Sequence, residues 1–248
     1  MKKVSVKDLL IFVISFLLYY VFATSLVYYL LNFIYKNNGS IFPSYLDNEA
    51  FRERGLSNIA QLISASIILT SLILVYFKDL KGHFSFFKDY KLIFKTIGYA
   101  FLVYFVTICY NLFLPLAGGT GEDGSNVTLI KESMKYQYWI MFILVVIIGP
   151  FIEELLFRFI TFKGLKEKTS KVWLLVITSI LFTLPHMLSL INSGDVKGDL
   201  LALPKFLIIG WMLGDYYYKN NQIGRVILVH ILYNIVSFVL MSVTLALI

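Results

Sequence analysis

The chain has 248 residues, of which 58% are hydrophobic and only 15% are Asp, Glu, Lys or Arg. An average soluble domain carries about 45–50% and about 25%, so the soluble fold classes are excluded and an all-α, polytopic transmembrane helical bundle is expected. The net charge of +7 is mostly lysine beside apolar runs, which points to membrane lipid rather than nucleic acid, and the single cysteine, Cys109, permits no intramolecular disulfide.

Apolar runs follow one another at about 9–35, 56–77, 92–114, 137–162, 172–190, 200–218 and 226–248. Each is near the length that crosses a hydrocarbon core of about 30 Å. In lipid the backbone must satisfy its own hydrogen bonds, so each is expected to be helical. That makes seven spans, or eight if one long run breaks. The start, Met1-Lys-Lys-Val-Ser-Val-Lys7, has the charge of a signal-peptide head. The run behind it continues past 25 residues with no small-residue cleavage site, which favours a retained first span. Segments 1–8, 78–95, 163–171 and 219–225 hold 14 Lys and Arg residues, against 6 in 36–55, 115–138 and 191–200. The positive-inside rule therefore places the N-terminus in the cytoplasm. Gly118–Asn126 is the only Gly-rich stretch. It lacks a phosphate-loop ending and reads as an external linker, followed by the glycosylation-type triplet Asn126-Val-Thr128.

Ionisable groups inside spans are costly, so each one demands a reason. The fourth run contains Gly149-Pro-Phe-Ile-Glu153-Glu154-Leu-Leu-Phe-Arg158. Adjacent carboxylates diverge by about 100° on a helix. Glu154 and Arg158, four apart with the acid first, suit an ion pair, which leaves Glu153 to face another neighbour. Of three histidines, His83 falls in a lysine-rich loop; His186 lies in Phe182-Thr-Leu-Pro-His186 and His230 in His230-Ile-Leu-Tyr-Asn234. Phe182 shares a helical face with His186, and His230 with Asn234. Pro185 removes a backbone donor beside His186 and is expected to kink that helix. If these faces converge, a carboxylate, two imidazoles and an amide meet in one interior, a set able to activate water and hold an oxyanion.

These residues resemble the CAAX protease and bacteriocin-processing family (CPBP or Abi, type II CAAX prenyl endopeptidases) of intramembrane proteases. Its Glu-Glu-xxx-Arg, Phe-xxx-His and His-xxx-Asn motifs are read here as Glu153, Glu154 and Arg158, as Phe182 and His186, and as His230 and Asn234. The resemblance covers about 140–240. It divides the chain into an N-terminal transmembrane region, 1–135, and a catalytic transmembrane domain, 136–248. It implies an endopeptidase of the bacterial plasma membrane that acts on a lipidated protein or a short hydrophobic peptide precursor of the pheromone or bacteriocin type. On that pattern Glu153 and His186 activate the water and His230 and Asn234 hold the oxyanion, while Glu154 and Arg158 are structural or orient Glu153. The family is often described as metalloproteases, and Glu153, His186 and His230 would form a zinc-type ligand set. No His-Glu-xx-His is present, and a glutamate-activated water needs no ion.

Two other readings compete. A non-catalytic scaffold or immunity partner would keep the polar groups for helix packing, and a proton-coupled transporter would use them as a relay. The catalytic reading also meets a geometric difficulty. At about 1.5 Å per residue, Glu153 lies roughly 14 Å, His186 roughly 22 Å and His230 roughly 8 Å from the cytoplasmic ends of their runs. One site requires helices that tilt or start at different heights.

Overall fold

A computed structural model describes residues 5–42, 44–117, 125–192 and 196–246. Among them the chain is helical throughout, with no strand. We label seven long helices. α1 spans Val6–Asn37, α2 Glu49–Leu80, α3 Tyr90–Phe113, α4 residues 125–165, α5 Lys171–Asn192, α6 Val196–Asn220 and α7 Ile223–Ala246. Each expected run falls within one of these helices to within a few residues, except that α4 begins at Ser125 instead of 137. Five of them, α1 to α4 and α7, are long and apolar enough to cross a membrane; α5 is apolar over a shorter stretch, Lys171–Met187. The Gly-rich linker at 118–124 lies outside the described residues.

The outer surface is one that water would not tolerate. Leu26, Phe33, Leu74, Phe94, Phe105, Trp139 and Trp173 are all more than three-fifths exposed. So continuous an apolar surface is matched by acyl chains, not by solvent. The chain is an integral membrane protein. Inside the bundle the gradient reverses around α4, where every residue from Glu154 to Phe162 is buried. A helix buried on all sides is the central element of its bundle.

α4 is not a uniform helix. A non-helical residue, Gln137 (φ −149°, ψ 70°), separates Ser125–Tyr136 from the rest. π turns then follow at Ile143–Ile148 and Leu155–Ile160, on either side of the short α segment Gly149–Glu154. The first has a local cause. Pro150 has no N–H to give the carbonyl four residues back, and the Gly149 N–H bonds instead to Leu144 O, five residues back. A side chain at Gly149 would come within 3.0 Å of that oxygen. The second π turn is marked by the Thr161 hydroxyl, which donates to Leu156 O at 3.0 Å.

α5 and α6 pack closely because glycine permits it. Gly210 and Gly214, four apart on α6, face Thr178, Ser179 and Leu175 of α5, and a Cβ on Gly210 would lie 2.9 Å from Ser179 Cα. This is small-residue packing of the kind that joins membrane helices. Pro185 is carried inside α5 as part of one continuous helix. Asp215 of α6 pairs with Lys219 (2.6 Å) and with Lys171 of α5 (2.7 Å).

The heads of α5 and α7 differ in burial. Lys171, at the head of α5, leaves two-fifths of its side chain exposed, whereas Ile223, at the head of α7, is fully buried. The loop after α2 covers it. His83 packs its ring edge-on against Phe159 (5.4 Å between centroids), and its Nδ1 accepts the Ile223 N–H at 3.2 Å. Gly224 lies so close beneath this loop that a Cβ would meet Phe84 Cδ1 at 2.6 Å. The first turn of α7 is thus packed beneath the loop after α2, and His230 further along it reaches Glu153 and Glu154 of α4.

Candidate active site

Glu153, Phe182, His186, His230 and Asn234 all line one cavity of about 540 Å³, which is walled also by residues of α1, α2 and α6. Glu154 and Arg158 stand behind its wall, fully buried. The divergence of adjacent carboxylates on α4 has therefore separated them as helix geometry requires, Glu153 towards the cavity and Glu154 into the packed core.

The pair behind the wall is a bracket. Arg158 Nη1 donates to Glu154 Oε1 at 3.1 Å and Nη2 to the Gly210 carbonyl at 3.1 Å. The guanidinium lies over the Phe182 ring, 4.4 Å from its centroid. Glu154 Oε1 also bonds His230 Nδ1 at 2.8 Å. A carboxylate paired with arginine can only accept, so Nδ1 carries the shared proton and Nε2 is turned towards Glu153, whose Oε2 lies 3.8 Å away. The expected pair of Glu154 and Arg158 is present, and the imidazole that its carboxylate bonds is His230. The imidazole in contact with Glu153 is likewise His230. His186 sits one ring further on: Phe182 contacts both imidazoles (5.6 and 5.7 Å between centroids), and His186 stacks flat on Phe206 at 3.8 Å. Asn234 Nδ2 donates to the Val145 carbonyl at 2.8 Å, an oxygen within the π turn that Pro150 enforces.

The residues do not fit a three-ligand metal site. Among the described residues no three His, Cys, Asp or Glu side chains are grouped as ligands. Of the set implied by the resemblance, Glu153 approaches His230 at 3.8 Å, while the His186 ring is stacked on Phe206.

This site, built on α4, α5 and α7 in the order Glu-Glu-xxx-Arg, Phe-xxx-His, His-xxx-Asn, has a counterpart. Residues 135–236 match the type II CAAX prenyl endopeptidase Rce1-like family. The match contains every residue of the three motifs. A stretch of 116 residues, 47% of this chain, is 28% identical to a Bacillus subtilis (strain 168) protein named "Putative membrane peptidase YdiL". That stretch covers 43% of the relative, less than half of its length. No solved structure matches.

Several cavity residues lie outside the Rce1-like segment and carry no motif. Tyr19, Tyr20 and Thr24 come from α1, Arg54, Ser57, Asn58 and Gln61 from α2. Lys205 of α6, inside the segment but in none of its motifs, also lines the cavity. The polar spacing of Arg54, Ser57, Asn58 and Gln61 at intervals of three and four was a readable signal of a wetted helix face. For Tyr19 and Tyr20, two aromatics amid an apolar run, no sequence signal separates cavity lining from lipid contact.

Proposed function

We propose that this protein is an intramembrane endopeptidase, its N-terminus in the cytoplasm of a bacterial cell, that hydrolyses a peptide bond in a lipidated protein or a short hydrophobic peptide. The observation that carries the reading is the approach of Glu153 and His230 to 3.8 Å on the wall of a cavity that also holds His186 and Asn234. Two acceptors at that separation can both reach a single water at about 2.8 Å. One water hydrogen points to Glu153 and the other to Nε2 of His230, and the oxygen lone pair is left for the scissile carbonyl. Glu153 takes the proton as the oxygen attacks. The oxyanion of the tetrahedral intermediate is held by His186 and by the second amide hydrogen of Asn234, the first being given to Val145. The proton on Glu153 then passes to the leaving nitrogen as the C–N bond breaks. This assignment exchanges the two imidazole roles implied by the resemblance, because Glu153 is in contact with His230.

Glu154 and Arg158 serve as positioning residues. A carboxylate on the far nitrogen of a catalytic imidazole fixes its tautomer and angle. The mechanism needs no metal, and activity is expected to survive EDTA and phenanthroline. An apolar cavity wall including Leu144, Phe182, Phe206 and Ile209 suits a hydrophobic substrate.

The test uses the full chain in lipid nanodiscs with an internally quenched hydrophobic peptide bearing a lipidated C-terminal cysteine, alongside its unlipidated form. Glu153→Gln, His186→Ala and His230→Ala should each abolish cleavage without loss of membrane insertion. Cleavage that persists in all three would remove the enzyme reading. A scaffold predicts instead that the Glu153→Gln isostere keeps its cellular function.

A further inference from the structure

We propose that Tyr20 of α1 positions Glu153, so that the first helix, outside the segment matching the family, completes the active site. The inference rests on the reading of Glu153 as the base.

The case begins with the π turn Leu18–Phe22. Adjacent residues of an α-helix point about 100° apart, and a π turn narrows that angle by adding a residue to the turn. Tyr19 and Tyr20 accordingly both line the cavity, their rings meeting edge to face at 4.6 Å. π turns inside α-helices are frequent at functional sites, and among the described residues there are three, one in α1 and two flanking Gly149–Glu154 in α4.

The pair lies along one stripe of α4, at positions 149, 153 and 157. The Tyr19 hydroxyl is 3.8 Å from where a Cβ on Gly149 would stand, so the missing side chain makes its room. The Tyr20 ring lies nearly parallel to that of Phe157 (6.3 Å, 21°) and against Phe16 (5.0 Å). From that seat its hydroxyl reaches Glu153 Oε1 at 3.5 Å. Glu153 is thus bounded on both oxygens, Oε1 by the Tyr20 hydroxyl and Oε2 by His230. The carboxylate plane is set by a phenol that packing holds in place, while the face towards the cavity stays open to water.

Tyr20→Phe keeps the ring stack on Phe16 and Phe157 and removes the hydroxyl alone. With the quenched lipidated peptide, kcat should fall about 10- to 100-fold, the range of one hydrogen bond to a charged group, with KM within twofold and the melting temperature unchanged. Tyr20→Leu, which removes the ring as well, should lose the same activity and also melt lower. A second readout needs no turnover: 3-fluorotyrosine placed at position 20 should show a 19F resonance that moves in the Glu153→Gln variant. Wild-type kcat in Tyr20→Phe, or a 19F line indifferent to Glu153→Gln, would overturn the proposal. If Glu153→Gln itself retains cleavage, the functional reading fails first, and the 19F shift still reports on the contact.

Discussion

The Arg158 bracket offers a severe test, because it is a fully buried ion pair in the centre of a membrane bundle. Arg158→Met keeps much of the side-chain volume and removes two hydrogen bonds, to Glu154 and to the Gly210 carbonyl. It also removes the cation over Phe182. It leaves Glu154 charged and buried with His230 as its remaining partner. Removing one member of a buried pair costs about 3–5 kcal/mol, or about two to three and a half decades in the folding equilibrium. At about 2–4 °C per kcal/mol for a chain of this size, the melting temperature in detergent micelles should drop by about 6–20 °C. The double variant Arg158→Met/Glu154→Gln removes both charges and should recover part of that loss. Arg158→Lys should not substitute well, since a single ammonium cannot span Glu154 and Gly210 as a planar fork does. A single variant melting within 2 °C of wild type, or a double variant whose loss equals the sum of the two singles, would refute the bracket.

The two neighbouring acids should separate cleanly in the same assays: Glu153→Gln abolishes cleavage with little effect on melting, whereas Glu154→Gln lowers the melting temperature as well. Gly210→Ala drives a methyl to 2.9 Å from Ser179 Cα, while Gly98 has nothing within 4 Å of its Cβ position. The first should therefore cost about 1–3 kcal/mol by overpacking, read as a lower melting temperature, and Gly98→Ala should be tolerated. His83, in the loop over the head of α7, is pushed below its ordinary value of 6.5 by burial, with the nearby Asp79 opposing. A histidine whose folded value is depressed stabilises the fold above its unfolded value and loses that contribution as pH falls from there towards the folded value. Protonation also removes the acceptor of the Ile223 N–H. Wild-type protein should therefore lose stability below about pH 6.5 more steeply than His83→Gln; identical slopes would remove His83 as the cause.

What the sequence by itself determined follows from local physics. Composition decided the membrane class, since 58% hydrophobic residues cannot be hidden in a soluble core of this size. Span positions followed because each apolar run must satisfy its own backbone. The i to i+4 spacing settled that Glu154 meets Arg158, and the 100° step settled that Glu153 faces elsewhere. The tertiary structure alone decided which imidazole meets Glu153, because that depends on where each helix starts in depth, and run lengths are blind to depth. The head of α7 is buried beneath His83 and Phe84 through contacts more than a hundred residues apart, and the close approach of Gly210 to Ser179 carries the carbonyl that Arg158 needs. Tyr20 was hidden for the same reason, whereas the cavity face of α2 showed in its polar spacing. A tyrosine facing lipid and a tyrosine facing a carboxylate are the same letter, and only the packing of α1 against α4 distinguishes them.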